Sequence, residues 1–259
     1  MADQSEERKR YDEMAAMDGD AAVSHYAKTG PRFRLQRVVR EAVRLSPGRI
    51  LDLGCGDGVV MEHVRRALPE TEIVGLDWSR VSLGRAHKRG FTAIQADAGC
   101  LPLKQEKFDL VIATEVLEHV ADPDALLCEA HRALRPGGHL LITVPAADWF
   151  KSLVGLFDPG RVKLLDAMHR REWAVRGFGK FAPVAELRDM IRNSGFAVDR
   201  CRGVYYWVWR WERMLDQRLA AGSKCDAVLR AVDRLIGALP GLAVVGKYLM
   251  IAARKRERG

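Results

Sequence analysis

Three glycines in five residues, Gly54, Gly56 and Gly58, stand among the carboxylates Asp52 and Asp57 in the segment RILDLGCGDGVV, residues 49–60. An apolar run of Ile50, Leu51 and Leu53 leads into them, and Val59, Met61, Val64 and Leu68 leave them at helical spacing. Strand, glycine turn and helix together form a nucleotide-binding hinge, because glycines permit a tight turn and let a ligand approach the backbone. The spacing is G-x-G-x-G, and the aspartates occupy ground where a phosphate binder needs bare N–H groups. The stretch therefore suits a cationic, amino-acid-bearing ligand better than a pyrophosphate. About twenty residues further on, a second apolar run over 72–76 ends in Asp77, placed to accept hydrogen bonds from both hydroxyls of a ribose.

These groups need a scaffold, and the rest of the chain supplies one. Phe33, Leu35, Val38, Val39 and Val43 mark a helix packed on a sheet, following a break at Gly30-Pro31 and closed by Pro47-Gly48. Beyond Asp77 the pattern predicts a helix over 79–89, a strand over 91–95, a fully apolar strand over 110–113 and a helix over 122–135. The helix is expected to close at Arg135-Pro136-Gly137-Gly138, with a fifth strand over 140–144. A helix over 185–194, a strand over 196–201 and an edge strand over 247–254 complete the series. Strands alternating with helices predict an α/β fold with a mostly parallel sheet covered on both faces. The organisation expected is a helical lid and first sheet-packing helix over 1–48, a ligand-binding core over 49–145, and a substrate-side region with a helical cap over 146–259.

Three more stretches follow the glycine turn in order: QADA at 95–98, FDLVIATEVLEHV at 108–120 and LRPGGHLLITVP at 134–145. With them, roughly residues 30–200 resemble the class I S-adenosylmethionine (SAM)-dependent methyltransferases of the type 11 group, which includes ubiquinone and menaquinone biosynthesis enzymes. The resemblance implies a Rossmann-like sheet of seven strands in the order 3-2-1-4-5-7-6, the last antiparallel, and SAM as cofactor. It implies that the turn at Gly54, Gly56 and Gly58 wraps the methionine part, that Asp52 holds its amino end directly or through a water, and that Asp77 holds the ribose. Asp97 would accept from the adenine amino group, and Ala98 would donate its backbone N–H. Thr114 and Glu115 would line the methionine and the transfer site. Trp78 either stacks on adenine or is a half-buried structural tryptophan. Methyl transfer needs little acid–base machinery beyond alignment in a dry pocket. Where the acceptor must lose a proton, His119 is the first candidate base and His169 the second. Tyr26, Arg32 and Arg34 either reach the ligand from a lid or face solvent along a helix, and the plainer expectation is solvent.

Of the 259 residues 48% are hydrophobic, enough for one α/β domain with additions, and the formal net charge is +8. That charge permits contact with anionic lipid, nucleic acid or a small anion without choosing among them. The five cysteines are scattered and never paired as C-x-x-C, which argues against a disulfide framework and a zinc site; no metal is expected. The charged N-terminal stretch lacks the apolar core of a secretory signal, so a cytoplasmic location is expected. Tyr205 to Trp211 holds three of the six tryptophans, flanked by Arg202, Arg213 and Arg218, a composition suited to a membrane interface. With the segment around Trp149–Phe157 it could form a greasy mouth for a lipid-like acceptor, or an internal cap. The expected acceptor is a hydrophobic small molecule, quinone-like or lipid-linked, methylated on oxygen or carbon, with peripheral contact to anionic membrane. An RNA substrate is the main alternative, weakened by the lack of an RNA-binding module or a dense basic stripe. The glycine spacing and QADA disfavour a nicotinamide dehydrogenase, and the intact glycines, Asp77 and Asp97 disfavour a non-catalytic binder. The stretch 235–253 is long enough to raise a membrane span, but Pro240, its glycines and Lys247 favour helix then strand.

Overall fold

The computed structural model of the chain describes residues 29–145, 184–204 and 248–257, together with Lys9, Asp12, Glu13, Ala16, Val228, Ala231 and Leu235. Tyr26, His169, the segment 146–181 and the aromatic run 205–211 lie outside the described residues, as does most of the expected cap over 202–240. The elements in chain order are α1 (Thr29–Leu45), β1 (Arg49–Leu53), α2 (Val59–Ala67), β2 (Glu72–Asp77), α3 (Arg80–Lys88), β3 (Thr92–Gln95) and β4 (Phe108–Thr114). They continue with α4 (Pro123–Ala133), β5 (Leu134–Pro145), α5 (Val184–Asn193), β6 (Phe196–Val204) and β7 (Tyr248–Lys255). Among the described residues no helix is long and apolar enough to cross a membrane.

The sheet runs β3-β2-β1-β4-β5-β7-β6, as expected. The first five strands pair in parallel, and β7 is antiparallel to both β5 and β6. Side-chain alternation along the central strands divides the core between the two faces of the sheet. Leu51, Leu53, Val111, Ala113 and Ile142 pack with Leu126 and Leu127 of α4 and Leu187 and Ile191 of α5. Ile50, Leu110, Ile112 and Leu141 pack instead with α1, α2 and α3. Each fully buried Leu or Ile contributes roughly 2 kcal/mol, which offsets the cost of burying Asp52 among them.

The helix ends follow local chemistry. Ser79 caps α3 by accepting from the Ser82 N–H at 3.2 Å, and Gly90 leaves the helix with φ 77°. Asp122 caps α4 through the Ala125 N–H at 3.0 Å, with Pro123 just inside the first turn.

Four expectations need correction. β7 is not an edge strand, because its two sides pair with β5 and β6 and leave β6 at the edge. α1 runs through Gly30-Pro31 and does not begin after it, because a proline in the first helical turn gives up an N–H that has no partner there in any case. Val43 is 42% exposed and does not pack on the sheet. The Arg135-Pro136-Gly137-Gly138 stretch belongs to β5 as a bulge: Phe108 pairs with Leu134, yet Leu110 pairs with His139. Gly137 takes φ 72°, and a Cβ on Gly138 would stand 2.9 Å from the Arg135 carbonyl oxygen, so both glycines serve the bulge.

Candidate active site

The register aligns the carboxyl ends of three strands. Leu53 lies beside Leu76 on one side and Ala113 on the other, so Gly54, Asp77 and Thr114 leave the sheet at one level. Strand order reverses about β1, and ligands of open α/β sheets bind in the crevice beyond such a reversal. A cavity of about 620 Å³ opens there, lined by Gly54, Leu76, Asp77, Trp78, residues 96–100, Glu115, Val116, residues 119–122 and Ala125. Its volume falls in the range of small-ligand sites.

Gly54, Gly56 and Gly58 all adopt positive φ, at 66°, 54° and 83°. The requirement is sharpest at Gly54, where a Cβ would lie 2.3 Å from Val116 Cγ2. The turn is tied to β2 by Cys55 N–H donating to the Leu76 carbonyl at 2.9 Å. Asp77 joins the turn to α3: its Oδ2 accepts from Gly56 N–H at 2.8 Å and its Oδ1 from Ser79 N–H at 2.8 Å. Each oxygen keeps a lone pair for a further donor. Burial pushes the Asp77 carboxyl up, and these N–H groups with that of Trp78 oppose the shift. Asp97 is held in the same way, its Oδ1 accepting from Gly99 N–H at 2.8 Å.

Of the residues expected at the site, Gly54, Asp77, Trp78, Asp97, Ala98, Glu115 and His119 line the cavity. Asp52, Gly56, Gly58 and Thr114 are not part of the lining, and Asp52 and Thr114 are buried. Asp52 is 2% exposed and its Oδ2 has no hydrogen-bond partner. Burial, and then the charge of Asp77, push its carboxyl up to about 8. Cys55 is a buried space-filler whose thiol burial pushes up, so it offers no thiolate.

Arg32 and Arg34 do not face solvent, contrary to expectation; both are buried, Arg34 to 3% exposure. A compensating network keeps Arg34 there. Its Nη1 lies 2.9 Å from Glu115 Oε2, and its guanidinium carbon sits 4.5 Å from the centroid of Tyr248 on β7. Glu115 has φ 56°, and its Oε1 accepts from the Thr143 hydroxyl at 3.3 Å. Strain at a non-glycine residue of this kind persists where the surroundings fix it.

Two further residues are absent from the sequence expectation. Glu118 has a side chain 3% exposed, with both carboxylate oxygens lacking a hydrogen bond, and Oε1 lies 3.9 Å from His119 Nε2. Burial, then the charge of Glu115, hold its carboxyl well above the ordinary range; its own N–H and Arg34 pull the other way. Asp12 reaches the start of α3, where its Oδ1 accepts from the Ser79 hydroxyl at 2.7 Å and from Val81 N–H at 3.3 Å. The EVLEHV motif contained Glu118 in plain view, whereas nothing local to Asp12 pointed across the chain to Ser79.

Among the described residues, Asp77, Asp97, Glu115 and Asp122 put four carboxylates into the lining, and neither Lys nor Arg is part of it. In a chain of net charge +8 that is a selection for a cation. This sheet, with a glycine floor and an acidic wall at its reversal point, defines the class I methyltransferase fold.

Comparison with known proteins gives the same class. The chain matches the methyltransferase-domain family over residues 25–200. It is 34% identical over 240 residues to an uncharacterized 37.1 kDa protein in transposon TN4556 of Streptomyces fradiae, covering 89% of this chain and 66% of that protein. It is 28% identical over 181 residues to the ubiquinone biosynthesis O-methyltransferase of Rhodopseudomonas palustris, covering 67% of each. The chain thus spans about two thirds of the length of these relatives. A solved SAM-dependent methyltransferase from Thermotoga maritima superposes with TM-score 0.60 at 20% identity, covering 94% of this chain and 99% of that one. The chain belongs to the SAM-dependent methyltransferase family, and its cofactor is SAM.

The site residues fit that cofactor. Gly54 leaves open the ground a Cβ would fill, Asp77 and Asp97 have acceptor capacity for ribose and adenine, and the acidic wall suits a sulfonium and an ammonium.

Proposed function

We propose that the chain methylates an oxygen or carbon of a hydrophobic small molecule, quinone-like or lipid-linked, at the face of an anionic membrane. When bound, SAM supplies a methyl group on a positively charged sulfur, ready for displacement. The protein's part is to align an acceptor with it, exclude water and hold the acceptor's proton. The cavity is the place of SAM, so the observation that carries the acceptor reading lies in the sequence: Tyr205 to Trp211 sets three of the six tryptophans beside arginines, a composition suited to a membrane interface and an apolar acceptor. The spread of the basic residues along the sequence, without one dense stripe, disfavours RNA as substrate. His119, in the lining, is the residue proposed to take the acceptor's proton; His169 is the second candidate. The ubiquinone biosynthesis O-methyltransferases among the relatives act, by their names, in quinone synthesis, which is in keeping with this acceptor class.

The test uses SAM carrying a radiolabelled methyl group, offered with hydroxylated quinones, with a total bacterial lipid extract and with total RNA. Label entering the organic phase, and reduced at least about tenfold by His119→Gln, is the expected result. Label recovered only in RNA would sink the proposal.

A further inference from the structure

Glu118 is a buried acid that the cofactor-binding motifs do not employ. It stands one residue behind the cavity lining, between Glu115 and His119, both of which line the cavity. Among the described residues the groups facing it are Glu115 on its own turn, Arg34 from α1 and His119, whose Nε2 is 3.9 Å away. Arg34 is already engaged by Glu115 at 2.9 Å, so its charge is largely spent on that partner. Among the described residues the lining holds no Lys or Arg to keep Glu118 ionised, and both of its oxygens lack a hydrogen bond. A buried carboxyl so placed keeps its proton until a positive charge arrives.

We propose that Glu118 discriminates the methyl donor from the spent product by charge: entry of the sulfonium drives the Glu118 proton out to solvent, whereas the neutral thioether leaves it in place. This rests on the assignment of the cavity to SAM. The two ligands share adenosine, ribose, carboxylate and amino group, so any titration of those parts is common to both. They differ by one methyl group and one unit of charge, at the sulfur. Glu118 being driven from neutral acid to carboxylate, the proton goes to buffer and the negative charge left behind pairs electrostatically with the sulfonium. By linkage, a ligand that binds the ionised form tightens as pH rises toward the folded-state value of the acid and levels off above it. Donor affinity should therefore rise by up to about tenfold per pH unit relative to product affinity. The consequence for turnover is that product inhibition weakens as pH rises.

The experiment is calorimetric titration of the full chain with SAM and with S-adenosylhomocysteine, at several pH values and in buffers of different ionisation enthalpy. The expected result is about one more proton released by SAM than by S-adenosylhomocysteine at neutral pH, and loss of that difference in Glu118→Gln. The wild-type comparison needs no variant to fold. Equal proton release by the two ligands would overturn this proposal while leaving the cofactor assignment intact. Failure of both ligands to bind would remove the cofactor assignment and this proposal with it. A difference that survives in Glu118→Gln but vanishes in Asp52→Asn or His119→Gln would move the proton to one of those residues and overturn the assignment to Glu118.

Discussion

Gly54 and Asp52 show how much of the site a single position carries. At Gly54 the left-handed backbone and the 2.3 Å approach of an added Cβ to Val116 act together. Gly54→Ala should cost about 3 kcal/mol of stability and weaken SAM binding at least about tenfold, measured by thermal unfolding and calorimetry on the same sample. An unaltered affinity would mean that the turn does not form the cofactor floor. At Asp52 the prediction concerns pH. Its carboxyl is raised from 3.8 to about 8 in the folded chain, so the neutral form is favoured by folding. That contribution is fully present below the unfolded value and is lost as pH rises from about 4 to about 8. The ligand-free protein should therefore lose stability relative to Asp52→Asn across this window, by an amount on the order of a few kcal/mol. Denaturant unfolding at stepped pH measures the difference, and parallel curves for the two proteins would refute it. Gly54, Asp77 and Asp97 were legible in the sequence because the motifs that name them are contiguous. Glu118 was not, because only its neighbours in space, Glu115 and His119, distinguish it from any other acid of a turn.

At the scale of elements, Arg34 binds α1 to the site. Arg34 neutralises Glu115 at the end of β4 and lies over Tyr248 of β7, so one guanidinium links α1, β4 and β7 beneath the cavity. Replacing Arg34 with methionine keeps much of the apolar stem and removes the guanidinium 2.9 Å from the half-buried Glu115 carboxylate, a loss of about 2 kcal/mol. Adding Glu115→Gln to that variant should restore a large part of the stability, since the penalty lies in the carboxylate that has lost this cation and not in the missing arginine. A double variant as unstable as the sum of the single ones would assign Arg34's role to packing on Tyr248. The sequence pattern found the apolar stripe of α1 but sent Arg32 and Arg34 to solvent. Arginine is ordinarily exposed, and its partner here lies far along the chain. The β5 bulge escaped for a related reason. A Pro-Gly-Gly run after a helix is a stop signal locally, and only pairing with β4 turns it into strand.

The molecule as a whole carries +8, while among the described residues the cavity at its sheet reversal is lined by four acids and no Lys or Arg. Charge of opposite sign is thus divided between surface and site, and the two should respond differently to salt. Surface attraction to an anionic membrane is screened once the Debye length falls to about 8 Å at physiological ionic strength, whereas charges enclosed in a cavity are screened far less. A mostly parallel sheet was legible in the alternation of apolar runs with helical patterns, whereas the strand order and the antiparallel last strand followed from the resemblance to the family. Composition alone could not reveal this division, because a net charge sums over residues that the fold sends to different places. Sedimentation with phosphatidylglycerol-rich vesicles should be strong at low salt and fall steeply as salt approaches physiological strength. Zwitterionic vesicles should retain little protein throughout. SAM affinity measured over the same salt series should change by less than about threefold. The aromatic run 205–211, with its tryptophans beside Arg210 and Arg213, is where the sequence puts the apolar part of the vesicle contact. Replacing Trp207, Trp209 and Trp211 with alanine should then lower vesicle binding at every salt concentration. If no vesicle retains the wild-type chain at any salt, the acceptor is to be sought among soluble hydrophobic molecules, and the tryptophans become an internal cap over the acceptor.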